Sequence, residues 1–290
     1  EHWGLPGGAL SRSFSSRSLP AWTICERLGM PAAVLGWPGV ADAGIAPQAQ
    51  ASAPWPTLVP LAAADPRFEA VHAFGADLLA AADEDAGRAA AAVRHLEEAV
   101  VGGRPIALFL GLEGLEAVSK RTFGAYSAVH LEGRQKTDAI AASAALEGYY
   151  AYADDLLEEL WLRLPEPRLV MVVSPYGIRE ASGLRRAANL LSRDRRFAGV
   201  ASGAPDGLFL LRGSGVRPGF LNRIGLADVV PTLLYALGFP AAQDFDGRAV
   251  TEAFDPEFLR RNPLTFVPSY ETMRPLRVAA PPLAGAPALP

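Results

Sequence analysis

LVMVVSPYG, residues Leu169–Gly177, decides how this chain is read. An apolar run carrying Val170, Val172 and Val173 gives way to Ser-Pro-Tyr-Gly, residues that favour a turn. The run is expected to be a buried strand, with Ser174, Pro175 and Tyr176 in a turn at its carboxyl end. In open α/β sheets, ligands and catalytic groups gather at that end of the strands. A proline and a phenol stand there, with neither a carboxylate nor an imidazole to hold a metal.

Working outward, apolar strands alternate with helices. Leu19–Trp37 reads as a helix, started near Pro20 and stopped at Gly29, followed by a short strand Ala32–Trp37. Ala76–Val101 is an Ala-rich helix ended by Gly102-Gly103, and Pro105–Gly111 (PIALFLG) is the second strand. Leu146–Leu164 is a further helix, with Tyr149, Tyr150, Leu156, Leu157, Leu160 and Trp161 at helical spacing. Gly207–Arg212 reads as a strand and Ala227–Leu237 as a helix. The fold expected is α/β, with a mostly parallel central sheet and helices on both faces. One domain is expected over residues 1–275, with 39–66 as a surface insertion and 276–290 as a Pro/Ala-rich tail.

Composition narrows the function classes. A formal charge of -4 over 290 residues gives no basic footprint for nucleic acid. No apolar run reaches the roughly 18–20 residues that span a bilayer, and no signal-peptide pattern opens the chain. Cys25 is the only cysteine, so an internal disulfide and a cysteine-rich metal site are both ruled out; its apolar neighbours point to packing. A soluble protein of cytoplasm or periplasm is expected.

Ala227–Phe254 (ADVVPTLLYALGFPAAQDFDGRAVTEAF) resembles the C-terminal signature of the type I phosphodiesterase/nucleotide pyrophosphatase branch of the alkaline phosphatase superfamily. Ala204–Gly219, Tyr149–Leu160 and Leu28–Pro38 are similar to segments of that branch in the same order. The resemblance implies a three-layer α/β sandwich and a hydrolase with two divalent metals, usually zinc, between strand ends. It also implies that the ligands are substituted. The Ser-Asp-His-Gly turn falls on Ser174–Gly177, leaving Pro175 and Tyr176 as former ligand positions. The Gly-x-Asp-x-x-x-His turn falls on Gly114–Lys120, with Glu116 for the Asp and Lys120 for the His. The late Gly-x-His ligand falls on Ala201–Gly203, around Ser202. The nucleophile belongs upstream of Leu19, and residues 1–18 hold no counterpart.

The function expected is therefore a pseudoenzyme binding a small molecule or protein in the former crevice, lined by Glu116, Lys120, Ser174, Tyr176 and Ser202, without a metal cofactor. A first alternative is an active metal-dependent phosphodiesterase or phosphatase. It requires replacement ligands for two zinc or other divalent ions, from Glu113, Glu116, Asp206 or His130. A second is a structural subunit docking through the Arg185, Arg186, Arg193, Arg195 and Arg196 segment or through the tail. Plainer readings stand beside these. Glu116 and Lys120, four apart, suit a surface ion pair, and Tyr176 suits an aromatic filling an emptied metal pocket. Ser174 lacks a Gly-x-Ser-x-Gly elbow. His2, His72 and His95 are scattered, His95 on an exposed helix face, and Gly213, Gly215 and Gly219 suit a plain loop.

Overall fold

The computed structural model describes residues 19–37, 69, 76–127, 129, 137–184 and 198–272. The 39–66 insertion, the 276–290 tail, His130 and the arginine-rich segment lie outside the described residues.

The chain mixes helix and strand. Helix α1 (Ala21–Arg27) leads into β1 (Ala32–Leu35), and the 26-residue α2 (Ala76–Val101) precedes β2 (Ala107–Leu110). β1 and β2 pair in parallel, from Ala32 opposite Ala107 to Leu35 opposite Leu110, with α2 between them in chain order. Next come α3 (Gly114–Tyr126) and α4 (Thr137–Arg163), then the strands β3 (Leu169–Tyr176), β4 (Arg179–Glu180), β5 (Gly199–Val200) and β6 (Asp206–Gly213). After a 3-10 turn at Leu226–Asp228 come α5 (Val229–Ala236), β7 (Ala241–Ala242), α6 (Pro256–Arg261) and β8 (Phe266–Val267). Among the described residues no helix is long and apolar enough to cross a membrane.

Two packed regions position the rest. Leu78, Ala82, Ala86 and Ala89 of α2 meet Val118 of α3 and Leu146, Tyr149, Tyr152 and Leu156 of α4. The alanines at helical spacing let these helices approach closely enough to bury the large α4 side chains. A second cluster joins Trp22, Ile24 and Cys25 of α1 to Phe109 of β2 and Leu234 of α5. Cys25 is a packing residue, its thiol pushed up to about 12 first by burial and then by the charge of Glu26.

The sheet expectation is corrected at its starting point. β3 pairs antiparallel with β6, Leu169 opposite Gly213 and Tyr176 opposite Asp206. Among the described residues each sheet has two strands, so a large parallel sheet is not seen, and parallel pairing is confined to β1–β2 and β7–β8. β3 is half-buried and exposed from Val173 to Pro175, not a buried strand, and it continues through Ser174, Pro175 and Tyr176, not stopping before a turn. β6 alternates exposed and half-buried residues, the pattern of an antiparallel ribbon with one solvated face.

Pro175 is the one residue between Leu169 and Tyr176 without a ladder partner. Gly207 stands beside it. A Cβ there would lie 1.9 Å from the Ser174 carbonyl oxygen, so the strands can meet at this point only over a glycine.

The helices differ at their ends. α4 starts at Thr137, nine residues before Leu146, because TDAIAASAA is helical with Ile140 as its one large apolar residue, too few to show a periodic face. Gly114–Lys120, where the motif places a turn, is the first part of a 13-residue helix, Gly114–Tyr126. His95 is half-buried rather than fully exposed, 3.7 Å from Glu98.

Candidate functional site

α3 presents Glu116 in its first turn and Lys120 one turn on, at the spacing that brings side chains together on a helix face. Their ammonium and carboxylate groups form an ion pair. From the end of β3, the Tyr176 hydroxyl donates to Glu116 Oε1 at 2.7 Å, linking positions 60 residues apart. Glu116 thus has an ammonium and a phenol as its partners.

Electrostatics follow from this geometry. Burial is the largest influence on Glu116 and works against its charge, but the hydrogen bonds from Lys120 and Tyr176 and the Lys120 charge together outweigh it. The carboxyl is held below the ordinary range. Tyr176 is pushed up to about 12, first by burial, then by its hydrogen bond to Glu116 and the Glu116 charge. At neutral pH the phenol is a donor and not a base. One carboxylate balanced by an ammonium leaves little negative charge to attract a dication. Among the described residues no group of three or more His, Cys, Asp or Glu side chains is arranged to hold a metal ion.

The other expected residues lie apart from this pair. The Ser174 hydroxyl donates to the Tyr176 carbonyl at 2.9 Å, an exposed contact within its own strand. Pro175 is exposed in β3. Ser202 offers its backbone carbonyl to Arg179 Nε at 2.8 Å. Asp206 lies 3.8 Å from Arg223, both side chains over nine-tenths exposed. Glu113 is the N-cap residue of α3, with its backbone N–H donated to Asp85. Two open cavities, of about 240 and 480 Å³, are lined by residues between Tyr235 and Phe266 and by none of these side chains.

One polar cluster escaped the sequence reading. Asp85, on α2 and 3% exposed, accepts from the backbone N–H groups of Glu113 (3.1 Å) and Gly114 (3.0 Å) and from the Tyr149 hydroxyl (2.9 Å). Arg88 Nη1 lies 3.4 Å from it and from the Gly111 carbonyl at the end of β2. Burial raises the Asp85 carboxyl above its ordinary value, opposed first by the Gly114 and Tyr149 hydrogen bonds. Asp85 caps α3 from a neighbouring helix, supplying the acceptor that the first-turn amides need. A signal was available: in the acidic run Asp83-Glu84-Asp85, only Asp85 keeps helical step with the buried Leu78, Ala82 and Ala89.

The C-terminal run is also stitched by polar atoms. The Asp228 carboxylate accepts from Gly225 N (2.9 Å) and Arg248 N (2.8 Å). Thr232, fully buried, accepts from Val250 N (3.0 Å) and donates to the Asp228 carbonyl (2.6 Å). These contacts tie the start of α5 to residues 248–250.

Compared with family models, curated proteins and solved structures, the chain matches none.

Proposed function

We propose that this chain is a catalytically degenerate relative of the type I phosphodiesterase/nucleotide pyrophosphatase branch of the alkaline phosphatase superfamily. In this reading the crevice between α3 and β3 binds a ligand or partner without turning it over. The observation that carries it is the pairing of Glu116 with Lys120 and Tyr176, three of the positions where the motifs would set metal ligands. A metal pair needs several neutralising donors around each ion. Here the one carboxylate is satisfied by a cation and a phenol of the chain itself, so the residues present do not fit two zinc ions. The parallel β1–β2 pair with α2 between the strands supports an α/β sandwich of that type. The antiparallel β3–β6 ribbon would form one side of its sheet.

The test is zinc titration by calorimetry, alongside turnover of bis(p-nitrophenyl) phosphate with zinc present. The expected outcome is neither micromolar zinc affinity nor turnover. Micromolar affinity together with turnover would reject the reading and return the chain to the working hydrolases.

A further inference from the structure

One side of the β3–β6 ribbon lies against the core; on the other, β3 is half-buried at Val170, Val172 and Tyr176, and β6 is exposed. Leu169 and Leu211 pack against the cluster of Tyr235, Phe254 and Phe258. At alternate positions of β6, Asp206, Leu208, Leu210 and Arg212 are exposed, Leu208 by 55% and Leu210 by 44%. Among the described residues β6 pairs with β3 alone. Among the described residues its other edge, eight residues without a proline, meets no strand and leaves a row of backbone donors and acceptors. Such an edge is a template for another strand.

The phase of the ladder shows which groups are open. Ser214 N donates to the Arg168 carbonyl at 3.0 Å, in line with the register Leu169 opposite Gly213. Hydrogen-bonded pairs alternate along an antiparallel ladder. Leu208, Leu210 and Arg212 therefore bond inward to β3, and Phe209 and Leu211 direct their N–H and C=O outward.

Read at every second residue, the exposed face of β6 runs Asp206, Leu208, Leu210, Arg212. Laid antiparallel on itself, that order is self-complementary. We propose that β6 pairs with β6 of a second copy of this chain about a two-fold axis through Phe209, forming one continuous four-stranded sheet. Asp206 then stands opposite Arg212 of the other copy and Leu208 opposite its Leu210, and both pairs recur across the axis. The outward groups of Phe209 form the central hydrogen-bonded pair. The leucine pairs fall at non-hydrogen-bonded positions, where opposed side chains come closest.

Neighbouring registers fit worse. A slip of two residues one way sets Asp206 against Leu210; the other way sets Arg212 against Leu208. The contacts these charges make within one copy are compatible with the pairing. The Asp206–Arg223 pair is long and solvent-exposed, and so is weak. Arg212 lies over the Trp161 ring at 3.9 Å, a stack that leaves its in-plane N–H groups available to a carboxylate. The proposal does not depend on the reading of the crevice, although β6 begins opposite Tyr176.

Sedimentation velocity over about 1–300 µM, a range suited to an interface of this small size, tests it. The chain is expected to show a concentration-dependent dimer. Asp206→Arg alone and Arg212→Asp alone each put like charges opposite one another twice per dimer, weakening it about tenfold. Combining the two reversals restores it. That rescue cannot come from the lost Trp161 stack, which stays lost in the double variant. Leu208→Lys with Leu210→Lys yields a monomer. All these sites are exposed, and circular dichroism confirms that each variant is folded. A monomer throughout the range overturns the proposal, as does a dimer that ignores the single reversals or is not restored by the double one.

Discussion

Replacing Asp85 by alanine tests whether one buried carboxylate holds α3 in place. The substitution strips the acceptor from Glu113 N, Gly114 N and the Tyr149 hydroxyl. Glu113 N is only partly buried and can turn to water, whereas the Gly114 and Tyr149 donors are buried. Each orphaned buried donor costs about 1–3 kcal/mol, so the two together cost about 2–6 kcal/mol. Removing a carboxylate whose charge is disfavoured by burial returns part of this. A net loss of about 2–4 kcal/mol is expected. Urea unfolding followed by far-ultraviolet circular dichroism measures it, and amide exchange at Gly114 reports the cap directly. Tyr149→Phe should cost only about 0.5–1.5 kcal/mol, because the carboxylate keeps two backbone donors. In the Asp85→Ala background that same change should cost less, since the hydroxyl no longer has the carboxylate to donate to. A loss below about 0.5 kcal/mol for Asp85→Ala, with Gly114 exchange unchanged, would refute the reasoning.

The remaining expectations concern other joints of the fold. The Tyr176 phenol should ionise near 12, visible as the difference between the ultraviolet titrations of the protein and of Tyr176→Phe, and Glu116→Gln should bring it down; a Tyr176 titration unmoved by that change would count against the pair. Glu116 is held below its ordinary value, so its stabilising contribution is complete above the unfolded carboxylate pKa and fades as pH falls through the lower folded one. Acid unfolding of Glu116→Gln should therefore lose that part of its slope. Thr232→Val should destabilise by about 1–3 kcal/mol in urea by orphaning the buried Val250 N–H, and a neutral result would deny the stitch between α5 and residue 250. Gly207→Ala should disrupt the β3–β6 register, because its methyl would lie 1.9 Å from the Ser174 oxygen; backbone amide shifts confined to residue 207 would show instead that the ribbon can yield.

What the sequence made legible depends on the range of the interaction. α2 was read with its observed ends, because alanine content, spacing and the Gly102-Gly103 stop are all local. The start of α3 is not legible as a helix terminus, because its N-terminal cap comes from Asp85, 28 residues before Glu113. β3 and β6 are both legible as strands, but their antiparallel pairing is not. Phe209, Leu210 and Leu211 form a continuous apolar run that hides the alternation of exposed and half-buried residues. β4, β5, β7 and β8 are two residues each and carry no periodicity to detect.

The candidate site divides along the same line. The Glu116–Lys120 pair follows from helical spacing, but its link to Tyr176 joins residues 60 apart that motif order alone brought side by side. Asp85 and Glu116 then show two fates for a carboxylate beside the first turn of α3. Asp85 is sealed in, its lone pairs taken by the backbone and Tyr149, so exchanging those partners means uncapping the helix. Glu116 is answered by Lys120, whose side chain is 54% exposed. An arriving anion can draw that ammonium away at little cost, because exposed ion pairs are weak. Of the two clusters, only the second can trade an internal partner for an external one, which is why the proposed ligand site is placed at Glu116, Lys120 and Tyr176.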